Sequence, residues 1–389
     1  MIILELSIFL LSVIFISFSL AGLGSLINFE LNRNFFEEIF LGFVIVALVI
    51  TFTHFFFKIN FLISLLVFLV GLFLFYKNKN SFDFLKKKKN LLYLFLIIFL
   101  IPMFISQKYH EDFGYYHLPY SLALIEEKII FGFANIDKPF VYNSIWLNLN
   151  PIFFLKDNNF NFQTLPVFLL FIIFIIFSLN KILEKKSIKI SDFYLALVVF
   201  YFLLKFTRIS EFGVDIPAVI FSVLGIYYFI KFYEVNETKK SFCFYLNLIY
   251  SIFSVLIKFS TIPILIFTIY LYFSNFKTQK FNIFRKKFFL IYFLCLCYFT
   301  QQFVYTGCFI FPSNLTCLNV SWFNSDYLNL SKQLELTNKG FYHVKDNFSP
   351  DEYLSNFKWF LFWIKRNSIE IIEHLITIFL PIVFFLFTL

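Results

Sequence analysis

Two acids, Glu111 and Asp112, stand side by side in Tyr109-His-Glu-Asp-Phe-Gly-Tyr-Tyr-His117, with histidines at 110 and 117 from a chain that has five. A carboxylate where an apolar run ends can act as general base on a hydroxyl or hold a metal ion. Glu111 can share either task, but adjacent helical residues do not face the same way, so only one of the two points at a given site. If Phe113 to Lys128 is helical, Tyr116 and Tyr120 share a face, His117 lies close by, and Asp112 sits at the start. An acid there can equally be an N-cap, and both acids can equally be solvated loop groups.

Two further stretches carry charge of the kind a site needs. Arg208-Ile-Ser-Glu-Phe-Gly-Val-Asp-Ile-Pro217 places one cation, the acids Glu211 and Asp215, and a glycine within ten residues. Arg208 suits a phosphate, and Glu211 or Asp215 would complete an acidic pocket; the bland reading is a turn closed by its own salt bridge. Lys258 ends an apolar run, where a lysine either snorkels to an interface or, together with Arg208, meets an anionic ligand such as a lipid phosphate.

The elements that must position these residues are apolar helices. The 389 residues are 60% hydrophobic and only 15% charged, with mean hydropathy +0.80, where a soluble domain has about a quarter charged. Several apolar runs are long enough to cross a ~30 Å hydrocarbon core as helices. The pattern excludes a porin-type barrel, which would alternate over strands of about ten residues. The expected fold is all-α, a polytopic transmembrane bundle of eleven or twelve spans forming a single integral domain over 1–389. The 67 phenylalanines read as codon bias of an AT-rich genome rather than as an aromatic binding surface.

Hydropathy places spans at about Ile2 to Leu20, Ile39 to Phe57, Asn60 to Tyr76, Leu91 to Ser106, Leu165 to Leu179, Phe193 to Phe206, Ile216 to Phe232, Phe242 to Ile257, Ile262 to Phe273, Phe288 to Tyr305 and Ile371 to Leu389. The first run has no basic n-region and contains Glu5, so it is expected to be a true span and not a signal peptide. Residues 28–38 read as a linker. Lysine clusters in 77–89, 181–189, 239–240 and 277–287 mark inner loops, which puts 107–162 and 307–357 outside as two longer periplasmic loops. The net charge of +9 therefore belongs to membrane topology; with no nucleic-acid motif beside it, a nucleic-acid partner is excluded. Cys308 and Cys317 flank an eight-residue loop in the second outer segment. They are either a disulfide, which the oxidising outer side would favour, or two thiols, and their spacing does not match a zinc site.

In order along the chain, His110-Glu-Asp-Phe-Gly-Tyr-Tyr-His-Leu-Pro119, Gly132-Phe-Ala-Asn135 with Asn143-Ser-Ile-Trp146, Glu211-Phe-Gly-Val-Asp-Ile-Pro-Ala218, Lys258-Phe-Ser, and Gly307-Cys-Phe-Ile-Phe-Pro312 with Trp322 resemble the GT-C superfamily of polytopic glycosyltransferases, in an uncharacterised bacterial branch. Three spans precede the one that leads into the motif loop, where in many members the first span leads into it. The resemblance implies a GT-C-like bundle in the bacterial inner membrane, active at the periplasmic face in cell-envelope glycan or lipid modification. A polyprenyl-phosphate-linked sugar would be the donor and a lipid or glycan hydroxyl the acceptor. Asp112 or Glu111 would be the catalytic base. His117, Tyr116, Glu211 and Asp215 would bind substrate, with Arg208 and Lys258 on the leaving phosphate. No cofactor is required by this reading, and a divalent metal is left open. The rival readings are a surface-polysaccharide polymerase or ligase, and a lipid or small-molecule transporter. A transporter would place acids and helix breaks in mid-span, whereas here the acids gather at the outer ends.

Overall fold

The computed structural model describes residues 2–27, 34–78, 112–153, 164–183, 189–204, 212–279, 288–311, 313–345, 347–369 and 371–372. Every regular element among them is helical, and the only strand-type pairing among them is an isolated bridge between Cys308 and Cys317. Contacts divide the chain into two compact units, one of residues 1–130 and 142–301, the other of residues 131–141 and 302–389.

The first unit holds the apolar helices: α1 (Ile2–Gly24), α2 (Phe35–His54), α3 (Phe61–Lys77), α4 (Leu118–Glu126), α5 (Ile145–Leu149), α6 (Leu165–Leu183), α7 (Ile190–Leu204), α8 (Asp215–Glu234), α9 (Glu237–Ile257), α10 (Leu265–Gln279) and most of α11 (Phe289–Thr306). Among the described residues, six of these (α1, α2, α6, α8, α9 and α11) are long and apolar enough to cross a membrane, and α3, α7 and α10 are shorter apolar helices. The nine fall where the hydropathy expects spans. The expected spans at 91–106 and 371–389 lie outside the described residues, apart from 371 and 372.

One boundary differs in an informative way. Residues 34–38 are not linker. Asn34 caps α2 by accepting from the Glu37 N–H at 2.8 Å, and the Glu37 carboxylate accepts from the Asn34 N–H at 3.2 Å. This reciprocal pair satisfies two of the helix's orphan donors, and Glu37 and Glu38 are buried by the turn it starts. Likewise Lys239 and Lys240 lie in the first turn of α9 rather than in a loop.

Apolar surface gains little by leaving lipid for protein, so a membrane bundle depends on close packing. Here α1 packs against both α2 and α3, and glycines set how near they come. A Cβ on Gly71 would stand 2.4 Å from the Ser19 carbonyl oxygen, and one on Gly42 would stand 2.1 Å from that of Leu20. The Ser19 hydroxyl donates to the Phe68 carbonyl across the same seam at 2.8 Å. Phenylalanines fill the wider gaps: Phe40 meets Phe177, Phe221 and Tyr250 edge-on at 5.6, 6.4 and 6.4 Å.

In the second unit, Gly132 takes a left-handed conformation (φ 68°) and its N–H bonds the Val304 carbonyl at 2.9 Å. A small core of Leu336, Phe341 and Tyr353, with Trp359 against it, joins α12 (Asp326–Asn338), α13 (Pro350–Leu354) and α14 (Lys358–Arg366). The outer segment expected at 307–357 is therefore a helical piece with its own core.

Gly71→Ala is expected to force backbone apart and destabilise the bundle by about 1–3 kcal/mol, read as a lower unfolding temperature in detergent. Gly114→Ala, whose methyl would meet no atom within 4 Å, leaves that temperature unchanged.

Candidate functional site

Asp112 is followed by a π-helical turn, Phe113–His117, that runs directly into α4. Such turns aim side chains that a regular helix would place elsewhere, and they concentrate at functional sites. Asp112 is itself helical (φ −63°, ψ −20°) and makes no capping hydrogen bond to this turn, so its carboxylate is not used as an N-cap. The far end of α4 is tied to the α2–α3 connection: the Ile59 N–H donates to the Leu124 carbonyl at 2.9 Å, and Ile129 N–H to that of His54 at 3.1 Å.

His117 is buried, at 5% exposure. Its Nδ1 lies 3.2 Å from the Phe212 carbonyl oxygen. A carbonyl only accepts, so Nδ1 carries the hydrogen. The ring also meets Tyr116 at 4.2 Å and Phe212 at 6.2 Å between centroids, and Phe113 meets Phe212 edge-on at 5.2 Å. Gly213 lets the turn pass this close, since a Cβ there would be 3.4 Å from His117 Cε1. His117, expected as a ligand of substrate, thus ties the first loop to the turn that opens α8.

That turn leads to Asp215, the first residue of α8, which forms an ion pair with Lys258 at the C-terminal end of α9. The α8–α9 hairpin sets the pair: the Ser254 hydroxyl, one turn before Lys258, donates to the Ala218 carbonyl, just after Asp215, at 2.9 Å. Both partners are largely open to solvent, with side chains 42% and 69% exposed. An exposed pair is worth about 0–1 kcal/mol, so an incoming anion can displace the aspartate from the lysine.

Tyr116 joins the two halves. Burial raises its phenol well above its ordinary 10.0, and the nearby carboxylates of Asp112 and Asp215 raise it further, with Tyr142 adding to the effect. Asp112, Tyr116, His117, Asp215 and Lys258 therefore fall into one cluster, with Tyr142 beside them. Glu111, Arg208 and Glu211 lie outside the described residues. Among the described residues no group of three or more His, Cys, Asp or Glu is placed to hold a metal ion.

Beneath the cluster runs a polar network that residue-by-residue reading missed. Asn143–Phe153 is buried throughout although it is not one helix. The Tyr120 phenolic oxygen lies 2.8 Å from both Asn143 Oδ1 and Asn148 Oδ1. Asn143 and Asn148 donate from Nδ2 to Gln301 Oε1 at 3.2 and 2.5 Å. The Tyr298 hydroxyl donates to the Asn143 carbonyl at 2.8 Å, and the Ser144 hydroxyl to that of Ile257, next to Lys258, at 2.8 Å. The available signal was the pair Gln301-Gln302 inside an otherwise apolar run.

The second unit gathers other stretches singled out from the sequence. Cys308 and Cys317 form a disulfide. Phe303 and Phe309 stack at 4.6 Å between centroids. Asn135 Nδ2 donates to the Trp322 carbonyl at 2.9 Å, and Phe133 stacks on Phe140 at 4.4 Å.

Two outcomes follow from this geometry. Because the phenol is raised in the fold, the stability that Tyr116 contributes is full below pH 10.0 and is lost as pH rises through the folded value. The difference between ultraviolet titrations of wild type and Tyr116→Phe is thus expected to contain one phenolate forming only above that pH. Tyr120→Phe leaves buried amide groups short of a partner and is expected to cost about 1–3 kcal/mol, measured by thermal unfolding in detergent.

No curated protein and no solved structure matches the chain. One family does, described as a domain of unknown function (DUF8201), over residues 5–389. The match takes in both units and every residue of the cluster, and the chain belongs to this family.

Proposed function

We propose that the protein is a GT-C-type membrane glycosyltransferase that moves a sugar from a polyprenyl-phosphate donor to an acceptor hydroxyl at the periplasmic face of a bacterial inner membrane. The observation that carries this reading is the meeting of Asp112, Tyr116, Asp215 and Lys258, drawn from three separate stretches, at the ends of apolar helices. Asp112 takes the proton of the acceptor hydroxyl as that oxygen bonds to the anomeric carbon. The bond from that carbon to the phosphate oxygen breaks, and the phosphate leaves with the electron pair. Lys258, exchanging Asp215 for this phosphate, balances the charge that develops. Asp215, released, and the Tyr116 phenol are then free to bond sugar hydroxyls. Glu111 and Arg208 belong to the same reading as neighbours of Asp112 and of the phosphate. The lipid tail of the donor lies between the apolar helices, and a lipid or glycan supplies the acceptor.

A transporter is the second reading, and one observation favours it. Glu37, in the first turn of α2, is buried with the Tyr228 hydroxyl at 2.6 Å and Lys181 Nζ at 3.7 Å. Ionisable groups inside apolar bundles commonly mark a solute path.

The test is transfer of radiolabelled sugar from polyprenyl-phosphate donors in membranes at matched expression. Asp112→Asn is expected to lower transfer about 10²- to 10⁴-fold, and Lys258→Met to weaken use of donor. Loss in Glu111→Gln with Asp112→Asn intact would move the base by one residue. Full activity in both would remove this loop from the chemistry. Uptake of a labelled lipid phosphate by proteoliposomes, lost in Glu37→Gln and kept in Asp112→Asn, would favour the transporter.

A further inference from the structure

Helix α14 presents the wrong kind of surface to water. Its inward side packs on the second unit: Phe362 meets Phe348 at 5.7 Å and Tyr353 at 6.1 Å, and Lys339 Nζ sits 4.5 Å from the Trp359 ring centre. Its other side exposes Phe360, Leu361 and Ile364 by 46, 75 and 36%, Phe362 is itself left 38% exposed, and Phe357 ahead of the helix is exposed by 74%. Phe360 and Leu361 stand four and three residues before Ile364, the spacing that puts side chains on one helix face, and Phe357 stands just ahead of the helix. A helix docked on a soluble core would show polar residues there.

Two more observations bear on what covers this stripe. Phe357 has φ 55°, the one positive φ at a non-glycine among the described residues. A Cβ-bearing residue rarely adopts that conformation, and an aromatic one is an outlier. Outliers of this kind persist where the position of the side chain serves a purpose. The charges within the helix are all cationic. Lys365 and Arg366 end the helix, and Lys358 begins it, paired with Glu352 at 2.7 Å. Trp359 and Trp363 lie between them.

The covalent chain narrows the occupant to one. Four residues, Asn367 to Glu370, separate α14 from the expected span Ile371–Leu389, which carries Glu373 and His374 near its start. Fully extended they reach about 14 Å. If that run enters a bilayer, α14 ends within this distance of the bilayer surface. A short helix with an apolar face, tryptophans and flanking cations is the pattern of helices that lie in a lipid interface.

We propose that α14 is an interfacial helix whose Phe357, Phe360, Leu361 and Ile364 stripe lies at the headgroup–acyl boundary beside the entry of Ile371–Leu389. The proposal rests on the membrane reading alone and is independent of the transferase chemistry. The helix would hold the second unit to the leaflet.

The test uses the full chain in nanodiscs of phosphatidylethanolamine and phosphatidylglycerol. Nitroxides are attached through Leu361→Cys, Ile364→Cys and Lys365→Cys, one at a time, with Cys243, Cys295 and Cys297 replaced by alanine and the disulfide kept. Relaxation by oxygen, which partitions into lipid, is compared with relaxation by a water-soluble nickel chelate. The expected result is an oxygen-to-nickel ratio several-fold higher at 361 and 364 than at 365. High nickel access at all three sites would overturn the proposal. Exclusion of both relaxants at 361 would also overturn it, since a second copy or a protein partner would then cover the stripe. A readout without labels uses brominated lipids. Quenching of the wild-type tryptophan fluorescence should fall in the Trp359→Phe, Trp363→Phe double variant, and unchanged quenching counts against the interface.

Discussion

Non-helical backbone inside an apolar bundle must find its hydrogen bonds within the protein. That constraint governs the stretch Asn143–Phe153, which is buried throughout yet is broken into a short helix and a 3-10 turn. Tyr120 of α4 and Tyr298 and Gln301 of α11 meet its polar groups. A neutral hydrogen bond adds only about 0.5–1.5 kcal/mol net, whereas an unmet buried group costs about 1–3 kcal/mol. The network therefore acts mainly by excluding other arrangements. Its consequences reach the candidate site at both ends: Tyr142 precedes the buried stretch, and Ser144 bonds the carbonyl of Ile257, the neighbour of Lys258.

The cluster above that network combines two electrostatic regimes. Asp215 and Lys258 are solvated and give up each other's company at little cost. Burial, with the nearby carboxylates of Asp112 and Asp215, raises the Tyr116 phenol and keeps it protonated. An exchangeable ion pair beside a fixed hydrogen-bond donor can receive an anion without rearranging the helices that carry it. His117 contributes stiffness, because its Nδ1–H, its ring faces and the bare backbone of Gly213 leave the α8 turn one place to sit.

Long apolar runs were legible because span length is set by bilayer thickness, and all nine described apolar helices lie where hydropathy places them. Averaging over a window blurred the start of α2. The Asn34-x-x-Glu37 capping pattern was visible in the letters, but two adjacent acids read as linker until the turn folded them inward. The individual stretches of the site were legible too, since charged residues at the ends of apolar runs stand out. Their convergence was not, because it depends on contacts such as His117 to Phe212, 95 residues apart, and Asn143 to Gln301, 158 apart. Polar residues scattered that widely carry no periodic signal. The two-unit division was hidden for the same reason: residues 131–141 join 302–389 through space, not through sequence.

The buried carboxylate of Glu37 also sets a timetable for biosynthesis. Its hydrogen-bond donor, Tyr228, is encoded 191 residues later. At roughly 5–20 residues per second, about 10–40 s pass between the emergence of α2 and that of its partner. During this interval α2 carries an acid without Tyr228 to receive it, and for the earlier part of it without Lys181. The helix must wait at the mouth of the insertion machinery, or enter with Glu37 still held at the water boundary. Its carboxylate meets its partners only when α6 and α8 arrive. Assembly of this bundle is thus ordered by a charge near the beginning of the chain and completed from its middle.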